Sequence, residues 1–227
     1  MNAMKIKCLD HGSIEVMNST FDGDLLVVNA ARCSFDKQHA AFDGTLDKKL
    51  INYLAKHDHV LPFRHPVCTL RIHAPLFVLR QLGKHQVGFS WSEISRRYIT
   101  TEPTFHHPKE WRISAENIKQ GSSEEVLSPK DSLRSMSNVE DSYLFAHATY
   151  KNMLEDGVCP EQARMVLPQS MYTTTVTTGS LLGWFHLYKL RTEAHTQKET
   201  QEYAQAIGKV MAKLFPISWE ALCEHSL

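Results

Sequence analysis

No stretch of this sequence stays apolar for the roughly 18 residues that a membrane-spanning helix requires. The first ten residues carry two lysines but no apolar block of signal-peptide length, and nothing resembles a lipidation signal. Cysteine is scarce and scattered. Cys8, Cys33, Cys68, Cys159 and Cys223 make an odd set with no Cys-x-x-Cys pair, which excludes a disulfide framework and a zinc ribbon. A reducing compartment, and so a cytoplasmic protein, is the expectation. An excess of one charge is missing too: Lys plus Arg is 25 and Asp plus Glu is 25. Coating nucleic acid or an anionic membrane through bulk charge is therefore not expected. The glycine loops that cradle phosphates are absent, both G-x-G-x-x-G and G-x-x-x-x-G-K-[ST], and so is the G-x-S-x-G elbow.

What is present suits one folded domain. The 227 residues are 42% hydrophobic and 22% charged, ample for a core without staples. Met4 to Leu9 reads as a strand. Asp24 to Ser34 reads as a helix capped by Asp22 or Asp24, and Leu46 to Leu54 as a helical stripe ending near His57. In Val67 to His73, Cys68, Leu70 and Ile72 alternate with Thr69 and Arg71, as in a half-buried strand. Pro75 suits the first turn of a helix reaching about Gln86. Residues 114 to 142 hold eight serines and a local charge of −3, and read as a solvated loop or insertion. Helices are expected over about 139–156, stopped by Gly157, from Pro160, over 180–190 and over 193–214, with Pro216 beyond the end. Tyr172 to Thr178 is β-branched and fits a strand, though tertiary context can make such a run helical. The mixture predicts an α+β fold, mostly helical with a small mixed or antiparallel sheet.

Three stretches have the residues for chemistry. His57, Asp58, His59 and His65 can ligate a metal, although their spacing matches no standard signature, and the plainer reading is a helix end with local hydrogen bonds. Arg80 to Tyr98 carries Arg80, Lys84, Arg96 and Arg97 against Glu93 alone, a local charge of +3. Arg97 beside Ser95 can hold a phosphate, but a solvated charged face explains the same residues. Arg164 and Arg191 lie on separate predicted helices and can converge on one anion, or Arg164 can pair with Glu161.

Taken together these stretches resemble the flavin-dependent thymidylate synthases. That family's signature is Arg-His-Arg, seven residues, then Ser. Here the run is Lys84-His85-Gln86, eight residues, then Ser95, within Ser92-Glu93-Ile94-Ser95-Arg96-Arg97-Tyr98. Ala30 to Phe35, His59 to His65, Ala74-Pro75 with Arg80-Gln81, Ala163 to Gln169, and Ser180 through Arg191 to Glu199 match further family blocks in order. Lys84 and Gln86 replace both signature arginines, Ser92 replaces the usual asparagine, and Ser180, Leu182 and His186 stand where many members have asparagine, arginine and asparagine. The pattern is similar to a divergent, phage- or viral-type branch, for which the host cytoplasm would be the location.

The resemblance implies an α+β single domain that converts dUMP to dTMP. It implies 5,10-methylenetetrahydrofolate as carbon donor, NADPH as reductant, FAD as hydride carrier, and a homotetramer with active sites shared between subunits. It implies Arg191 as the catalytic cation and Gln81, Lys84, Glu93, Ser95, Arg96, Arg97 and Arg164 as dUMP ligands. FAD would contact Ser34, His59, Leu61, Lys84, His85, Gln86, Glu93, Ser180, Leu182, His186 and His195; no metal is implied. Ser95 is assigned to binding, because an unactivated serine without an adjacent base is a poor nucleophile. The rivals are a metal-dependent nucleotide phosphohydrolase built on His57, Asp58, His59 and His65, a catalytically altered member of the family, and a nucleotide- or RNA-binding module. Neutral net charge and few aromatics near the basic blocks disfavour the last.

Overall fold

A computed structural model describes residues 4–115 and 121–225. Its centre is the strand β3 (Val67–Pro75). Cys68, Leu70, Ile72 and Ala74 are completely buried, while Thr69 and Arg71 face away, so the alternation in the sequence sets the two faces. Four further strands complete one antiparallel sheet in the order β1-β2-β3-β5-β4: β1 (Lys5–Cys8), β2 (Gly12–Ser19), β4 (Phe89–Glu93) and β5 (Tyr172–Ser180). The run Tyr172 to Thr178 is a strand, and its hydroxyls find partners. Thr178 meets Thr69 at 2.9 Å, Thr174 meets the His73 ring at 2.9 Å, and Thr177 donates to Thr175 at 3.1 Å.

Helices cover the core face. They are α1 (Gly23–Arg32), α2 (Leu46–Lys56), α3 (Leu76–Leu82), α4 (Pro129–Glu155), α5 (Pro160–Ala163), α6 (Leu181–Arg191), α7 (Lys198–Leu214) and α8 (Pro216–His225). In α6, Leu181 to Phe185 are all buried, and the Trp184 indole donates to the Cys68 carbonyl at 3.1 Å. Tyr203 of α7 donates its hydroxyl to the His73 carbonyl at 2.7 Å, pinning helix to sheet.

The elements differ from the sequence reading in several places, each with a physical cause. Residues 129–142 are not a loop: α4 begins at Pro129, ten residues before the expected start. Ser128 caps it, accepting from the Asp131 N–H at 3.2 Å, with Pro129 in the first turn. The serines therefore include a helix start, and Ser137 and Ser142 sit on the exposed face of the same helix. Residues 116–120 of the predicted insertion lie outside the described residues. Asp22 precedes α1 without a side-chain cap bond, and Asp24 caps a different helix. Its carboxylate accepts from Ile217 N–H at 3.1 Å and Ser218 N–H at 2.9 Å, so Pro216 opens α8 rather than ending the chain's last helix. Helix α3 stops at Leu82 and α7 starts at Lys198, both shorter than expected, and the strands β2 and β4 are additional to the sequence reading.

Candidate functional site

The end of α3 runs into a tight turn that presents the motif Lys84-His85-Gln86. The Phe89 N–H bonds to the Gln86 carbonyl at 3.2 Å, and Gly88 sits at φ 78°, the conformation a type II turn needs at its third residue. Gln86 folds back and donates to the Gly83 carbonyl at 2.5 Å. The side chain of Lys84 is exposed and makes no hydrogen bond or ion pair among the described residues. His85 is half-buried. The Trp91 indole holds its carbonyl at 3.0 Å, and its Nε2 accepts from Arg191 Nε at 3.1 Å. Burial, then the charge of Arg191, then His186, push the His85 pKa down to about 4. The ring is therefore neutral near pH 7, and with Nε2 accepting, its proton sits on Nδ1.

Arg191 closes α6, where a cation complements the helix dipole. Burial lowers its pKa, which Glu193 partly offsets. The loop beyond it is locked by Gln201, whose amide donates to the Glu193, Ala194 and Thr196 carbonyls at 3.0, 3.3 and 2.7 Å. That loop ends at Gln197, which accepts from Gln81 at 2.6 Å. Gln81, His85 and Arg191 are thus tied to one floor from α3 and α6.

Ser95, Arg96 and Arg97 lie beyond the other end of β4. They share no hydrogen bond with Gln81, His85 or Arg191 among the described residues. Arg97 donates to Ser95 Oγ from its backbone N–H and from Nε, both at 3.3 Å, and its guanidinium lies 5.2 Å over the Tyr98 ring. Arg96 donates to the Thr101 carbonyl at 2.7 Å and lies 5.8 Å over the ring of Tyr150 in α4. Arg164 is exposed, in a short turn after α5 that packs on α4. Arg164 and Arg191 share no hydrogen-bond partner among the described residues.

The remaining residues fall in several environments. Glu93, Ser34, His59, His186 and His195 are exposed, and Leu61 is 65% exposed. His186 and Leu182 line a cavity of ≈ 340 Å³ whose walls include Val60, Phe185 and Leu222 and whose rim carries Lys56, Asp58 and His225. Leu182 is otherwise core, and Ser180 uses its hydroxyl to cap α6, accepting from Gly183 N–H at 3.1 Å. Among the described residues, no three His, Cys, Asp or Glu side chains converge to hold a metal ion. His57 and His59 instead pack on Tyr53, with centroids 4.4 and 5.9 Å from its ring. The phosphohydrolase reading thus loses its ligand set.

Two features carry no short-range signal in the sequence. Asp10 accepts from the Tyr172 hydroxyl, from His106 Nδ1 at 2.6 Å and from His107 N–H at 3.0 Å, across almost a hundred residues or more. Burial works to raise its pKa, yet these hydrogen bonds outweigh it and hold the carboxyl well below the usual range. Arg112 is the other. It joins the bridged stretches 111–113 and 123–127 onto the first turn of α7, donating to both Glu199 oxygens at 2.8 and 3.0 Å and to Ser122 Oγ at 2.8 Å.

The fold and this surface define an α+β protein whose polar site is built from arginine, glutamine and a neutral histidine. A family model described as "Thymidylate synthase complementing protein" matches residues 15–217. A flavin-dependent thymidylate synthase of Thermus thermophilus is 36% identical over 228 residues, covering 99% of this chain and 80% of that relative. That of Thermotoga neapolitana is 34% identical, covering 98% and 96%. A solved structure, the UMP/dUMP methylase PolB from Streptomyces cacaoi bound with 5-Br dUMP, superposes with a TM-score of 0.84 at 30% identity, covering 96% of this chain and 97% of that one. The chain belongs to the flavin-dependent thymidylate synthase family.

Proposed function

We propose that this chain methylates dUMP to dTMP, taking the carbon from 5,10-methylenetetrahydrofolate and reducing equivalents from NADPH through FAD. The observation that carries the reading is Arg191 held against His85 beside Gln81, in a chain that aligns over its whole length with relatives bearing that activity's name. As C5 of uracil becomes a carbon nucleophile, negative charge develops on the ring carbonyls and N3. A fixed guanidinium lowers that barrier, and Arg191 stays charged at any working pH. Gln81, Ser95, Arg97 and Arg164 supply donors for the nucleotide and its phosphate, with Lys84, Glu93 and Arg96 alongside.

The donor set suits a flavin dinucleotide. Exposed apolar side chains, Leu61 at 65% and Val87 at 83%, stand beside the polar groups of His59, Lys84, His85 and His186. FAD, when bound, carries the hydride that completes the methyl group. His59, Leu61, Lys84, His85, Gln86 and Glu93 would hold it, with Ser34, His186 and His195 at its margins. Ser180 and Leu182 would act through the backbone they shape, since the fold occupies both side chains.

We also propose a homotetramer with shared sites. In one chain the Ser95–Arg97 loop shares no hydrogen bond with Gln81, His85 or Arg191 among the described residues, and Arg164 lies with α4. Helix α4 also exposes Leu133, Met136, Leu144 and Phe145, at 67%, 50%, 59% and 76%. A second copy would cover this apolar stripe and bring the two groups together.

Flavin uptake and NADPH oxidation with and without dUMP test the reading. dUMP-dependent oxidation with dTMP formed is the expected result. A colourless preparation that takes up no added FAD would overturn it.

A further inference from the structure

We infer that His85 is a positioning residue for Arg191: its Nε2 fixes the guanidinium, and only its Nδ1 edge is left for a cofactor. This rests on the functional reading above for its kinetic consequence, but not for its geometry. The Arg191 side chain makes one hydrogen bond among the described residues, from Nε to His85 Nε2 at 3.1 Å. A guanidinium is planar and has five N–H donors. Holding Nε–H to a fixed acceptor stops rotation about the Cδ–Nε bond and presents the four remaining N–H groups in one plane. Lysine cannot reproduce that fork.

The acceptor is itself braced from three directions. The Trp91 indole of β4 holds the His85 carbonyl at 3.0 Å. The Gln86–Phe89 turn fixes the backbone that follows, with Gly88 at φ 78° and the Phe89 N–H 3.2 Å from the Gln86 carbonyl. The third brace is electrostatic. Burial, then the Arg191 cation and His186 on α6, oppose protonation of the ring. Glu193, past the end of α6, faces Arg191 and favours its charged form. A neutral acceptor beside a charged donor is the arrangement that lets the bond persist near neutral pH.

Residues on a rigid floor hold a catalytic cation more exactly in place than residues on a loop, and small misplacement is costly to rate. His85→Leu should therefore lower kcat at saturating FAD about 100-fold while the KM for dUMP stays within about three-fold. His85→Gln places an amide oxygen near the Nε2 position and should recover at least about ten-fold of that loss. A kcat that saturating FAD restores in His85→Leu would overturn the proposal and leave His85 a flavin ligand alone. A second readout is independent of activity. The Arg191 Nε–H resonance, identified by its loss in Arg191→Lys, should move in His85→Leu and stay near its original position in His85→Gln. An unchanged resonance in His85→Leu would sink the positioning role even if the chain proved to be an active thymidylate synthase. A shifted resonance in a chain inert towards dUMP would uphold the positioning and refute the functional reading instead.

Discussion

Arg112→Ala tests how the bridged stretches 111–113 and 123–127 are fastened to the functional face. Among the described residues Arg112 makes three side-chain hydrogen bonds, two to Glu199 and one to Ser122. The paired side chains are only 18% and 11% exposed, so the value of about 0–1 kcal/mol for surface ion pairs is too small. They are not fully buried either, so the roughly 3–5 kcal/mol for stranding a buried charge is an upper bound. Burial works to raise the Glu199 pKa, but hydrogen bonds led by Arg112, with Gln197 and the backbone, outweigh it and hold the carboxyl below its ordinary value. Arg112→Ala strands that carboxylate and should cost about 3 kcal/mol, and Glu199→Gln about 2 kcal/mol, with a coupling of about 2 kcal/mol in a double-mutant cycle. For a chain of this size, about 3 kcal/mol lowers Tm by about 6–12 °C. Denaturant melts of the four proteins measure the cycle, and dUMP titration reads its effect on the neighbouring Gln197–Gln81 contact, where affinity should weaken several-fold. A coupling below about 0.5 kcal/mol would show that the pair is no fastening at all.

Other consequences are as direct. Gly12→Ala would drive a methyl group into the Tyr203 hydroxyl and within 2.7 and 2.9 Å of the Cys8 and His73 carbonyls, breaking the Tyr203–His73 staple; denaturant unfolding should show a loss of about 3 kcal/mol. Arg191→Lys keeps charge but not the fork, so steady-state turnover should fall about 100-fold with dUMP affinity nearly unchanged. Acid should destabilise in two stages. His73, His85 and His186, all depressed first by burial, lie below the unfolded value of about 6.5, so the unfolded chain binds more protons and Tm falls as pH drops from about 6.5 towards 4. Below about 4, the depressed carboxyls of Asp10 and Asp47 extend the loss, and a Tm that is flat between pH 7 and 5 would contradict the first stage.

Much of the fold follows from local pattern. The alternation of Cys68, Leu70 and Ile72 with Thr69 and Arg71 gives β3 its two faces, and the β-branched run after Tyr172 becomes the adjacent strand. What local pattern cannot supply is a partner far along the chain. Pro216 reads as a terminator because its cap, Asp24, lies on another helix. The start of α4 is legible in Ser128-Pro129 and Asp131, but the surrounding serines and charges mask it. The same division holds in the site. Gln81, His85 and Arg191 stand in motif blocks, and the structure brings them to one floor. Trp91 and Arg112 carry no motif, because an indole reaching back six residues and a guanidinium reaching across 87 leave no periodicity behind.

The departures from the family signature follow the same physical logic. Of the three residues Lys84-His85-Gln86, only His85 is bonded into the floor that carries Arg191. Lys84 points to solvent without a partner among the described residues, and Gln86 satisfies its own turn through the Gly83 carbonyl. Replacing arginine at those two positions removes no contact that shapes the floor. It changes the charge offered to a ligand: Lys84 keeps a cation but as a point charge, and Gln86 keeps a donor without charge. Replacing His85 would remove the one acceptor that Arg191 has among the described residues. The substitutions therefore fall where the fold's own hydrogen bonding is indifferent. Restoring both arginines should tighten FAD without altering turnover at saturating flavin, and a flavin titration of Lys84→Arg with Gln86→Arg decides it. Unchanged affinity would mean that these side chains never meet the cofactor.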